Sequence, residues 1–98
     1  MTFKVEKLSA AEKEITELSQ AQQEILKKDY EKIETQGIEF VRIKSLQSHI
    51  FEIKTNEIRS LFKYKEGRIV VIGVVFVKKT AKTPRKIIKL AKKRLEEV

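Results

Sequence analysis

Four cations carry the chemistry this sequence is best equipped to perform. Lys54 closes one alternating segment, Arg59 opens the next, and Lys78 and Lys79 follow directly on the β-branched run Ile69 to Val77. If those segments form an antiparallel meander, the four side chains share one end of a sheet. Such a patch can hold a phosphate, with the guanidinium fork of Arg59 matched to two of its oxygens. Each cation also disfavours protonation of the next, which makes Lys54 or Lys78 a candidate proton acceptor.

Other chemistries are excluded or weakened by residue type. There is no cysteine and a single histidine, His49, so thiolate zinc sites, cysteine nucleophiles and two-histidine metal sites are absent. His49 has no evident orienting partner and reads as an ordinary strand-end residue. No serine triad, glycine-rich phosphate loop or metal-ligand spacing is present, and neither a metal nor a cofactor is expected. Most acids lie in the N-terminal half, away from the predicted strands, which disfavours paired-carboxylate catalysis.

Charge is distributed unevenly. The net charge is +8, but residues 1–49 hold 8 Lys/Arg against 9 Asp/Glu, whereas residues 50–98 hold 14 against 5. Lys78 to Arg94 contains nine basic residues and no acid. Seventeen residues of that kind exceed what solubility requires and predict contact with a polyanion.

The elements that must position these cations follow from periodicity. With 98 residues, 41% hydrophobic and 37% charged, the chain has enough apolar material for one core, and a single domain over 1–98 is expected. Thr2 to Leu8 reads as a short edge strand. Ser9 with Glu12 forms a potential capping box, and Ser19 with Gln22 a weaker one, so a helical hairpin or bent helix over 10–36 should break near Leu18 to Gln20. Gly37 is placed to end it in a left-handed cap. Ile38 to Ile43 alternates and is either a strand or an extended approach. His49 to Thr55 and Ile58 to Tyr64 are better strands, Glu66 and Gly67 make a hairpin turn, and Arg68 to Val77 has the continuous apolar character of a strand covered on both faces. Gly73 within it suggests a bulge or a close helix contact. Thr83 and Pro84 supply an N-cap and first helical residue for a final helix, Pro84 to Glu97, that buries Ile87, Ile88, Ala91 and Leu95. The rings of Phe51, Phe62, Tyr64 and Phe76 are assigned to packing, with Tyr64 or Phe51 also able to stack a base from a sheet edge. The fold class is α+β, a largely antiparallel sheet of about four strands with two N-terminal helices and one C-terminal helix.

The segment VKKTAKTPRKIIKLAKKRL (Val77 to Leu95) resembles the C-terminal signature of the RelE/HigB superfamily of type II toxins, especially its phage-derived HigB-like branch. KSLQSHIFEIK (Lys44 to Lys54) and EIRSLFKYKEGRIVVI (Glu57 to Ile72) are similar to the family's preceding strand and arginine-bearing hairpin. The resemblance implies a RelE-like fold and a ribosome-dependent mRNA endoribonuclease, an mRNA interferase that inhibits translation. In that chemistry the ribose 2′-hydroxyl attacks the adjacent phosphate without metal, giving a cyclic phosphate and a 5′-hydroxyl.

The roles implied by position are a general base or phosphate ligand for Lys54, stabilisation of the phosphorane for Arg59, and phosphate binding with leaving-group protonation for Lys78 and Lys79. Lys44, Lys63, Lys82, Arg85 and Lys86 would contact nucleic acid. The sequence departs from many relatives in carrying Val74 and Val75 where they have a histidine or glycine, in lacking a tyrosine or histidine on the last helix, and in having Glu52 at a position that is basic in some. The partners implied are mRNA, the ribosome and a cognate antitoxin, acidic or of helix-turn-helix type. The rival reading keeps the fold but makes the chain a non-cleaving binder, either a gyrase-directed ParE-type toxin or an RNA-binding module. The start Met1-Thr2-Phe3-Lys4 has no signal-peptide pattern and no apolar run reaches membrane-spanning length, so a cytoplasmic protein without membrane contact is expected.

Overall fold

A computed structural model describes residues 1–98. The chain forms β1 (Lys4–Lys7), α1 (Ser9–Thr16), α2 (Gln20–Thr35), a 3-10 turn at Ile38–Phe40, β2 (Arg42–Ser45), β3 (Phe51–Thr55), β4 (Ile58–Lys65), β5 (Ile69–Val77) and α3 (Arg85–Leu95). One five-stranded sheet has the order β1-β5-β4-β3-β2. β1 runs parallel to β5 and every other pairing is antiparallel. The α+β class with two N-terminal helices and one C-terminal helix is as expected, and the sheet has one more strand than expected. The extra strand is β2. Ile38–Phe40 coils into the 3-10 turn, tied by Ile38 N–H to the Met1 carbonyl, so the chain becomes extended only from Val41 onward.

Three local expectations are corrected. The Ser9 capping box does not form, because Leu8 N–H still pairs with the Ile72 carbonyl at 3.0 Å and Leu8 is itself the N-cap. The Ser19–Gln22 box does form, with both reciprocal bonds in place, and the break between α1 and α2 falls there. At the C-terminal helix Pro84, rather than Thr83, is the N-cap, since the Thr83 hydroxyl is engaged with the carboxylate of Glu52. Gly37 does not adopt the left-handed cap; its φ of 140° and ψ of 154° are open only to glycine, and a Cβ there would lie 2.3 Å from Glu39 Oε1.

The sheet is covered on both faces. On one, Leu26, Tyr30 and Ile33 of α2 and Ala11 of α1 pack on Ile53, Ile58, Phe62, Val70, Ile72 and Val75. On the other, Ile88, Ala91 and Leu95 of α3 pack on Ile50, Leu61, Val71 and Val74. Full burial of each such Leu or Ile contributes roughly 1.5–3 kcal/mol. Two-faced burial explains the unbroken apolar run of β5. Gly73 meets both expectations made for it. The register steps from Leu61↔Val74 to Phe62↔Ile72, leaving Gly73 as the bulge, and a Cβ at Gly73 would come within 2.8 Å of Leu95 Cγ.

Beyond β1 the edge of β5 is closed by side chains. Glu14 of α1 accepts from Val75 N–H at 3.0 Å and from Arg94 Nη1 at 3.0 Å, and the same nitrogen donates to the Gly73 carbonyl at 3.0 Å. Arg94 is thereby withdrawn from the basic stripe and used to seal a sheet edge.

Candidate nucleic-acid interface

The hairpin β3–β4 turns through Asn56 and Glu57, with Asn56 at a φ of 52°, a conformation asparagine tolerates better than most residues. The turn sets Lys54 directly opposite Arg59, and β2 sets Arg42 directly opposite Lys54. Side chains paired in this way lie on one face with Cβ atoms about 5 Å apart. Arg42, Lys54 and Arg59 thus form a row of three cations across adjacent strands, completed by Phe76 on β5. The row sits on the α3 face, beyond the end that the helix covers.

Arg59 is less free than the sequence suggests. Its side chain is 14% exposed. Nη1 donates to the carbonyls of Asn56 at 2.5 Å and Ile58 at 3.1 Å. Nε lies 3.6 Å from Glu52 Oε1, too far for a hydrogen bond, and neither atom has another partner. Glu52 is fully buried. Its other oxygen accepts from Thr83, so one carboxylate joins β3, Arg59 on β4 and the segment leading into α3. Nη2 is the guanidinium nitrogen left to meet a ligand, and its orientation is fixed by the bonds of Nη1.

Lys78 is half-buried, and its N–H bonds the Glu57 carbonyl at 2.8 Å, which extends the β4–β5 ladder by one step and holds Lys78 at the Arg59 end of the sheet. Lys79, Lys82, Arg85 and Lys86 are exposed along the following segment and the first turn of α3, whose entry is tied to the sheet by Thr83. Lys44, exposed on the edge strand, pairs in register with Glu52. Lys63 stands apart. Four residues along β4 from Arg59, roughly 13 Å, its ammonium binds the carbonyl of Val98. His49 lies in the β2–β3 turn, exposed and at a φ of 61°, two residues before the strand expected to contain it.

A cavity of about 430 Å³ opens beside the cation row. Arg42, Lys54, Asn56 and Arg59 line it from the sheet, Asp29 and Lys32 from α2, and Phe40 from the 3-10 turn. Asp29 accepts a 2.5 Å hydrogen bond from Thr55 and lies 3.8 Å from Lys32 Nζ. Just outside, the exposed Glu57 carboxyl is held below the usual carboxylate range, chiefly by a 3.0 Å hydrogen bond from the Gln22 amide, with smaller help from its own backbone amide and from Arg59. No cluster of three or more His, Cys, Asp or Glu side chains is placed to hold a metal ion, and no helix is long and apolar enough to cross a membrane.

Sequence reading missed Arg42, Glu52 and Phe40. Arg42 and Phe40 lay in the segment whose extended and coiled halves periodicity does not separate. Glu52 lies in the predicted strand His49 to Thr55, but sequence pattern does not show that its face of the strand is buried.

Comparison with known proteins bears on the family and the fold. A family model described as "Phage derived protein Gp49-like (DUF891)" matches residues 13–96. No curated protein matches the chain. Among solved structures, the archaeal RelE–RelB complex from Pyrococcus horikoshii OT3 contains a chain with a TM-score of 0.68 and 14% identity, covering 83% of this chain and 100% of that one. The RelBE2 toxin–antitoxin complex from Mycobacterium tuberculosis gives 0.65 and 12%, covering 80% and 100%. E. coli toxin RelE in the free state, with two arginines replaced by alanine, gives 0.67 and 24%, covering 97% and 99%. The likeness to these three is one of fold.

Proposed function

We propose that this chain, which belongs to the phage-derived Gp49-like family and has the RelE fold, is the toxin of a toxin–antitoxin pair, a ribosome-dependent mRNA endoribonuclease acting in the cytoplasm. The observation that carries the reading is the cation row Arg42, Lys54 and Arg59, with Lys78 held at the same end of the sheet. Cleavage would proceed by attack of a ribose 2′-oxygen on the adjacent phosphorus. Lys54 takes the hydroxyl proton, Arg59 Nη2 stabilises the charge that builds on the phosphorane oxygens, and Lys78 or Lys79 protonates the departing 5′-oxygen. The products are a 2′,3′-cyclic phosphate and a 5′-hydroxyl. Because Arg59 is already fixed by two carbonyls and faced by Glu52, little reorganisation accompanies the reaction.

The exposed cations Lys79, Lys82, Arg85 and Lys86 extend this surface and would follow the phosphates of mRNA or ribosomal RNA, with binding that falls steeply as salt rises. An antitoxin with an acidic segment would neutralise the same surface. The test is to map mRNA 5′ ends soon after induction, beside an Arg59→Ala control. New cuts within translated regions, absent from the control, are expected. Growth arrest without cuts would redirect the reading to a non-nuclease target such as gyrase, and no arrest would leave an RNA-binding module.

A further inference from the structure

Phe40 is 58% exposed, the most exposed of the seven aromatic residues. Tyr64, the next aromatic at the surface, is occupied by ring contacts with Phe3, Phe51 and Phe62 at 5.3, 5.0 and 5.2 Å, whereas Phe40 makes no ring contact. It lines the cavity that also receives Arg42, Lys54 and Asn56. Val41 is extended, so Arg42 follows Phe40 at roughly 6–7 Å along the chain, and Lys54 lies beside Arg42. The cavity lining holds the cations Lys32, Arg42, Lys54 and Arg59 and one carboxylate, Asp29, which Thr55 and Lys32 already engage, and an exposed ring beside cations is how proteins hold single-stranded nucleic acid. The Asn56 side-chain amide has no hydrogen bond within the protein, only the backbone carbonyl of Asn56 accepting from Arg59, and it offers both a donor and an acceptor to a base edge.

We propose that this cavity is a nucleobase site, in which Phe40 stacks on a base of the bound strand, Arg42 and Lys54 take its flanking phosphates, and Asn56 meets the base edge. The proposal rests on the RNA-directed reading above and adds the residues that grip a base.

The chain has no tryptophan, so Phe40→Trp installs a single indole at the site, whose emission is read apart from that of Tyr30 and Tyr64. A short single-stranded oligoribonucleotide is expected to quench it, while inorganic polyphosphate, which offers charge without bases, binds and leaves the emission unchanged. Phe40→Ala should weaken oligoribonucleotide binding roughly 5- to 150-fold, the range expected for one stacked base, and leave polyphosphate binding within about twofold. Phe40→Tyr should restore the affinity, and Arg42→Ala should weaken both ligands. Oligoribonucleotide binding without quenching, and unaffected by Phe40→Ala, would overturn the base site and leave the RNA reading standing. Failure of the native chain to bind any oligoribonucleotide would overturn the base site, whereas the ribosome-dependent reading stands or falls with the map of mRNA 5′ ends. Because Phe40 is exposed, a melting temperature close to native in Phe40→Ala separates these outcomes from misfolding.

Discussion

Adjacent residues on β4 hold two buried polar pairs of opposite character. Ser60 faces α2, where its hydroxyl meets the Tyr30 hydroxyl at 2.7 Å, both groups neutral and each satisfied by the other. Arg59 faces the α3 side, where its Nε and Glu52 Oε1 stand 3.6 Å apart and neither forms a hydrogen bond there. On the α2 face the buried polar links are satisfied, Tyr30 with Ser60 and Asp29 with Thr55. Beside α3 a fully buried carboxylate is opposed by an arginine at the rim of a cavity. A charged pair that is buried and incompletely bonded is a poor source of stability, and under the proposed function its value would lie in fixing a cation for phosphate. One strand thus carries a satisfied neutral pair on one face and an incompletely bonded ion pair on the other.

The strongest way to break this contrast is at Glu52. Glu52→Ala leaves Arg59 without its counter-charge and Thr83 without its acceptor, and should cost about 3 kcal/mol in urea unfolding. The double replacement Glu52→Leu with Arg59→Leu should recover most of that stability while abolishing activity, because an apolar pair avoids the desolvation cost of both ions. A double variant as unstable as the single one would show that the ion pair holds the fold together. Gly73→Ala attacks the same face from its packed end. The new methyl meets Leu95 inside contact distance, and a loss of about 2 kcal/mol is expected. Adding Leu95→Val should relieve part of it if the clash is the cause.

On the α2 face Tyr30→Phe removes one hydroxyl and strands the other, for an expected loss of roughly 1–2 kcal/mol. Its pH dependence sharpens the comparison. Burial raises the Tyr30 phenol well above its ordinary range, opposed only in part by the Ser60 hydrogen bond. In the unfolded chain a tyrosine ionises near pH 10. A folded-state value above the unfolded one means the contribution is complete below about pH 10 and falls by about 1.4 kcal/mol per unit as pH rises beyond it. The native chain should therefore lose its advantage over Tyr30→Phe in unfolding experiments between about pH 10 and 11. A difference independent of pH over that range would mean that the phenol is not buried in the folded chain.

Which of these features the sequence discloses depends on whether the signal is local. The helices, the β3–β4 and β4–β5 hairpins and both roles of Gly73 were legible, because periodicity and turn residues act over a few positions. The parallel pairing of β1 with β5 was not, since it joins segments more than sixty residues apart. Lys54, Arg59 and Lys78 were correctly placed at one sheet end by assuming a meander. Arg42 escaped because its pairing with Lys54 depends on the start of β2, which a 3-10 turn displaces. The stripe Lys78 to Arg94 overstates the free charge by one, since Arg94 is spent on Glu14 and Gly73. That loss requires α1 and α3 to meet across β5, which no local pattern reveals.

The smallest expected effects separate the ways in which the two covering helices are anchored. α2 begins with a complete local cap, Ser19 bonding Gln22 and Gln22 returning the bond. α3 begins at Pro84 without any side-chain cap, and the residue before it is tied to Glu52 across the sheet. Ser19→Ala should cost about 1 kcal/mol, read as a lower urea midpoint, with the proposed mRNA cleavage unchanged. Ser9→Ala, at a serine that caps nothing, should stay within about 0.5 kcal/mol of native. Thr83→Ala should cost about 1 kcal/mol as well, yet lower activity, because Glu52 loses the bond that sets its position against Arg59. If Thr83→Ala and Ser19→Ala lose stability equally and both keep full activity, Thr83 is an ordinary tether and the functional reading of the Glu52 link fails.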